Sequence, residues 1–150
     1  MADSFLPITD ASPQVVAPAR CVIVVSADLP AGRAANAAAV IALTMGRSRP
    51  DLVGDDLVDR SGFAHPGLIP IGTSVLAAPA DQLGDIRAKA LAKDIEVVDF
   101  PAQGQQTNDY AEFMAAMREC PADELTYVGV GLVGCRKAIG KIVGRYGLFT

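Results

Sequence analysis

Apolar residues along this chain fall into short unbroken runs separated by stretches of helical spacing. The first run, Val22 to Val25, is continuous rather than alternating, the pattern of a central strand covered on both faces. It breaks at Asp28-Leu29-Pro30 and passes into Ala34 to Ala42, which has almost no polar face and predicts a helix buried against the sheet. Thr73 to Ala78 repeats the strand signal. A helix opening near Asp81 follows, with Leu83, Ile86, Ala90 and Leu91 on one side, and Ile95 to Asp99 reads as the next strand. Beyond Gly104, a helix starting near Thr107 or Asn108 presents Tyr110, Phe113, Met114 and Met117 together, most simply as core. Leu125 to Val133 is the last strand. Arg136 to Tyr146 is the last helix, with Ile139, Ile142, Val143 and Tyr146 inward and Gly147 as its stop. Between Arg47 and Ile71, the turn signals Asp59-Arg60-Ser61-Gly62 and His65-Pro66-Gly67 predict an inserted hairpin or an irregular excursion. Strands alternating with helices imply a three-layer α/β/α domain in which the four long apolar segments share one sheet.

Length and composition narrow the class. At 150 residues one domain is the default, read here as residues 21–150. Residues 1–20 carry Asp3 and Asp10 with Pro7, Pro13 and Pro18, and they lack the basic start and apolar run of a secretion signal, so they read as an N-terminal tail. The uncharged stretch from Ser61 to Ala80 is broken by Pro66, Pro70, Gly62, Gly67 and Gly72, which argues against a membrane span. Three cysteines, Cys21, Cys120 and Cys135, disfavour a disulfide framework and suit a reducing cytoplasm. Charge is uneven: fourteen acidic and five basic residues lie between Asp51 and Glu124, leaving three acidic and eight basic residues elsewhere. Arg136, Lys137, Lys141 and Arg145 crowd the last helix, and Arg33, Arg47 and Arg49 accompany the first. Joined in space, the two groups would make a modest anion-attracting face; a solvated helix surface is the simpler reading.

Candidate chemistry is sparse. Gly129, Gly131 and Gly134 spell GxGxxG between a strand and a helix, the local signature of a dinucleotide site. Only sixteen residues follow Gly134, too few for the second strand and the ribose-binding acid, so the glycines read as close strand-helix packing and no cofactor is expected. Cys135 at a helix start beside Arg136 and Lys137 is a candidate for a lowered thiol pKa, with a small buried side chain as the plainer reading. The sole histidine, His65, reads as a hairpin residue. No CxxC or HExxH spacing exists, and no metal site is expected.

The strand, the Asp28-Leu29 turn, Gly32 with its helix, and the strand-helix unit from Thr126 to Phe149 resemble the peptidyl-tRNA hydrolase type II fold. A closer likeness is to a bacterial family of uncharacterised function with that fold, carried by Asp28-Leu29-Pro30 with Asn36 eight residues after the aspartate, by Pro50-Asp51-Leu52-Val53-Gly54, and by His65-Pro66-Gly67. The resemblance implies a mixed four-stranded sheet whose last strand is antiparallel to the others, and a homodimer. It also locates a departure. On the hydrolase register, Arg33 stands at the first glycine-flanking lysine, Ala35 at the second, Ala39 at the glutamine and Ala42 at the histidine, while Asp99 takes the place of the later aspartate. No catalytic residue is therefore assigned. The expected function is a non-catalytic domain that binds a small molecule or a partner in a strand-end crevice near Asp28, Arg33, Asn36 and Asp99. The alternative is hydrolysis of an ester such as peptidyl-tRNA, although the acidic balance disfavours nucleic acid.

Overall fold

The computed structural model describes residues 19–150. The first strand, β1, spans Ala19–Ser26 and begins before the apolar run that announced it. The tail reading therefore falls outside the described residues except at Ala19 and Arg20, which belong to β1. Helix α1 follows at Ala31–Ser48, and then the short strands β2 at Leu57–Val58 and β3 at Ala64–His65. Strand β4 is Ser74–Ala78, α2 Leu83–Leu91, β5 Glu96–Pro101 and α3 Tyr110–Glu119. Strand β6, Tyr127–Cys135, leads directly into α4, Arg136–Val143.

The four longer strands form one mixed sheet in the order β4-β1-β6-β5, as the apolar runs predict. Strand β1 pairs parallel to β4 and antiparallel to β6, which is also antiparallel to β5. The expectation that the last strand opposes the others is met. Residues Cys21 to Ser26 are all buried, because β1 is central and covered on both sides. One face packs Val22, Val24, Leu76, Val130 and Leu132 against Leu83 and Ile86 of α2 and Ile139 and Val143 of α4. The other packs Ile23, Val25 and Val133 against Ala34, Ala37, Ile41 and Met45 of α1.

Helix α1 departs from the expectation of near-complete burial. Only its stripe at Ala34, Ala37, Ile41 and Met45, spaced by three and four residues, meets the sheet. Ala35, Ala39, Val40, Ala42 and Leu43 are exposed, since a helix on one face of a sheet has only one side to bury. The helix sits close because Gly129 and Gly131 of β6 put no side chain beneath Ile41 and Met45. A Cβ on Gly129 would lie 2.9 Å from Ile41 Cδ1, and one on Gly131 would lie 2.5 Å from Ile41 Cγ2 and closer still to Met45 Cε. The glycine motif thus serves helix packing as expected, but the partner is α1 rather than the helix that follows. At the start of β6 the register shifts: Phe100 opposes Gly129 and Pro101 opposes Tyr127, so Val128 joins the α1 face while Tyr127 joins the other.

The excursion between α1 and β4 contains the expected hairpin. Leu57 opposes His65 and Val58 opposes Ala64. Asp59 closes the turn, its Oδ1 accepting from the backbone N–H groups of Ser61 and Phe63, with Oδ2 2.9 Å from His65 Nε2. Helix α4 ends at Val143, three residues earlier than expected. The segment beyond it turns back onto β4: Ala77 donates its N–H to the Gly147 carbonyl, and Phe149 donates to the Val75 carbonyl, each at 2.9 Å. The outer edge of β4 is thereby closed, and Phe149, half-buried, packs against the α1 face of the core. Among the described residues nothing pairs with the outer edge of β5. No described helix is long and apolar enough to cross a membrane.

Candidate functional site

The open edge of β5 is where the molecule is hollow. Phe100 and Pro101 end the strand, and a short 3-10 turn over Ala102–Gln106 carries the chain outward to α3. The helix starts later than the sequence suggests because Asp109 is its cap: the Asp109 carboxylate accepts the Glu112 N–H at 2.8 Å, and the Glu112 carboxylate accepts the Asn108 N–H at 3.0 Å. This reciprocal pairing satisfies two backbone donors that the first turn leaves free.

Helix α3 buries none of its residues. Its apolar side, expected in the core, instead roofs a groove. Tyr110 and Phe113 meet edge to face with centroids 6.2 Å apart. The Phe113 ring lies over Gly104, where an added Cβ would come within 2.7 Å of the ring. Between this roof and α1 is a cavity of about 400 Å3, walled by Val40, Ile41, Thr44, Phe100, Tyr110 and Phe113. A second hollow of about 380 Å3 continues along the same helix past Met114, Met117 and Arg118. Asp99 borders both.

Of the four expected site residues, Asp99 alone borders this groove. Its carboxylate accepts from Arg87 Nε at 2.7 Å, and the Arg87 guanidinium lies 5.6 Å above the Tyr127 ring. The bond to Asp99 raises the Arg87 pKa, so the guanidinium stays charged. Asp28, Arg33 and Asn36 are exposed, at the turn into α1 and on its outer side. Asp99 is level with Val130 and, through it, Val24, so Asp28 lies four residues further along the sheet. Asp28 stands in the turn beyond the end of β1, and β6 lies between β1 and β5, a lateral separation of ~10 Å, so the fold does not bring the two carboxylates side by side. Arg87 was absent from the expected set because it sits twelve positions from Asp99 on a different element, a separation with no sequence signal.

The remaining chemical candidates are dispersed. The basic residues of α1 and α4 do not join, since the two helices lie on opposite faces of the sheet. Arg49 is held by Asp51 at 2.7 Å and Glu96 at 3.1 Å. Among the described residues no three His, Cys, Asp or Glu side chains gather to hold a metal ion. Cys21, Cys120 and Cys135 are free thiols, of which only Cys135 is exposed. The amides of Ala138 and Lys137 at the start of α4, together with the Lys137 charge, hold the Cys135 thiol below its ordinary pKa. At pH 7 iodoacetamide should therefore label Cys135 several-fold faster than Cys120, as followed by peptide mass spectrometry. Equal rates at the two sites would count against an activated thiol. His65, engaged by Asp59 on the hairpin, offers it no base.

The fold is shared with a solved structure of Atu0240, a protein of unknown function from Agrobacterium tumefaciens strain C58: TM-score 0.78, 20% identity, covering 88% of this chain and 98% of that one. No curated protein matches the chain. Residues 19–150, spanning both faces of the sheet and the groove beside β5, match the family described as protein of unknown function (DUF2000), and the chain belongs to that family.

Proposed function

We propose that this protein is a non-catalytic binding domain whose ligand is a small, largely apolar molecule held in the groove between α1, β5 and α3. The carrying observation is that α3 leaves its whole apolar side unburied over a cavity of about 400 Å3, a volume within the usual range for small-molecule sites. Thr44, the Tyr110 hydroxyl and the backbone of β5 supply a few polar groups at the rim of an otherwise hydrocarbon wall. Asp99 is the member of the expected set that this reading uses. Asp28, Arg33 and Asn36 stay outside it.

The hydrolase alternative has less support. Asp99 is occupied by Arg87, and Ala35, Ala39 and Ala42 line the outside of α1, so neither a free base nor an oxyanion donor faces a common point. The likeness to type II peptidyl-tRNA hydrolases belongs to the same proposal; its support is the mixed sheet with an antiparallel last strand. The exposed Leu43 on α1, outside the groove, favours a symmetric pair of chains.

An anilinonaphthalene sulfonate dye serves as the probe. It should bind the folded protein saturably, and Phe113→Ala should weaken binding roughly tenfold, the loss of one well-packed aromatic contact. Val40→Asp should do the same by placing a charge on the opposite wall. Unchanged dye binding in both variants, with melting curves like the parent's, would remove the groove as the site.

A further inference from the structure

At the far end of the sheet, where β1 and β4 begin and β6 ends, Arg20 and Arg136 face one cavity of about 290 Å3 together with Gly72, Thr73 and Ser74. We propose that this cavity is a binding site for a phosphate group, carried by a small phosphomonoester. It is a separate site from the groove beside β5 and does not depend on it.

Several local features build it. Arg20 sits on β1 opposite Gly134, and Arg136 opens α4 one residue after Cys135, which opposes Ala19. Positions 116 residues apart in the chain are brought together by the β1-β6 pairing. On the other flank Gly72 adopts φ 70°, the left-handed region, and its N–H bonds the Ile69 carbonyl. This turn delivers Thr73 and Ser74 to the cavity as β4 starts alongside β1, with Ser74 opposite Val22.

The electrostatics favour an anion. Among the described residues no carboxylate lines the cavity and neither Arg20 nor Arg136 forms an ion pair, whereas Arg49 and Arg87 do. Two guanidinium groups facing one space repel each other until a negative group stands between them. The first turn of α4 contains no acidic residue, so nothing on it offsets the two arginines. This arises on a molecule whose net charge is −4, so general attraction to polyanions does not account for it.

The donor set selects within anions. Two planar forks and two hydroxyls match the several oxygens of a phosphate better than the two of a carboxylate. A bare phosphate fills only part of about 290 Å3, and the apolar Cys21 and Ile71 in the remaining wall suit a short organic body.

The test titrates the full chain separately with inorganic phosphate and with glycerol 3-phosphate, followed by calorimetry and by amide chemical shifts, at constant ionic strength set with chloride. Both ligands should bind saturably and shift the amides of Gly72, Thr73 and Ser74. Arg136→Gln, at an exposed position, should weaken both about tenfold or more, the loss of one charge-assisted contact. Lys141→Gln, further along the same helix, should leave affinity unchanged. Tighter binding of the ester than of phosphate identifies an esterified ligand and the reverse a free one; either supports the site. Absence of saturable binding by the parent chain overturns the proposal. So does equal weakening by Arg136→Gln and Lys141→Gln, or shifts that avoid Gly72 to Ser74.

Discussion

Val24→Asp should leave the chain without a cooperative melting transition, while Asp28→Ala should melt within a few degrees of the parent. Val24 has no exposure, lies opposite Leu76 on one side and Val130 on the other, and faces the layer formed by α2 and α4. Replacing its methyl groups forfeits about 1.5–3 kcal/mol of burial. A carboxylate in their place meets no donor, and leaving a charge unpaired in the core costs several kcal/mol more. A total above about 5 kcal/mol is comparable to the entire stability of an ordinary domain. Asp28 is exposed and lies four residues further along the same chain, so its removal falls within about 0.5 kcal/mol. Thermal denaturation followed by circular dichroism separates the cases. A sigmoidal Val24→Asp melt near that of the parent would mean that β1 is not the centre of the sheet.

The second expected effect concerns two glycines with opposite responses. Gly131→Val should cost about 3 kcal/mol, and Gly140→Ala should gain about 0.5–1 kcal/mol. On Gly131 even the first carbon of a side chain would press on Ile41 and Met45. Met45 can swing aside, but Ile41 is branched at Cβ and buried, so α1 itself must lift from the sheet. Gly140 lies inside α4 with nothing within 4 Å of a built Cβ, so a methyl there restrains the unfolded chain without a clash. Denaturant midpoints for the two variants should move in opposite directions. Destabilisation of similar size in both would show that the glycines are needed for their backbone freedom and not for the approach of α1.

The central strand and its flanking layers were legible because continuous apolar runs leave little choice. Val22 to Val25 must be covered twice, and only helices on both faces do that. The Asp59 turn was legible for a similar reason, since Asp, Ser and Gly in that order satisfy the backbone locally. What escaped was which partner each apolar surface meets. The side of α3 bearing Tyr110, Phe113, Met114 and Met117 has core-like spacing, but periodicity records that a side is apolar and not what lies across from it. Gly129 and Gly131 announced close packing, yet the neighbour proved to be a helix some ninety residues earlier in the chain. Among the candidate site residues, the grouping of Asp28 with Asp99 assumed that strand ends are level. The pairing through β6 sets Asp99 well inside its strand and gives it to Arg87.

The return of Gly147 and Phe149 onto β4 bears on how copies of this chain can associate. A sheet with two unpaired borders can accept neighbours on both sides and so extend into a ribbon without limit. Here one border is sealed by the chain's own last residues, and only the β5 side retains free main-chain groups among those described. Pairing through that border alone would be self-terminating: two copies would meet about a twofold axis and leave nothing for a third. The turn of Gly147 and Phe149 onto β4 thus removes one route by which sheets could join, apart from the hydrocarbon that Phe149 adds to the core.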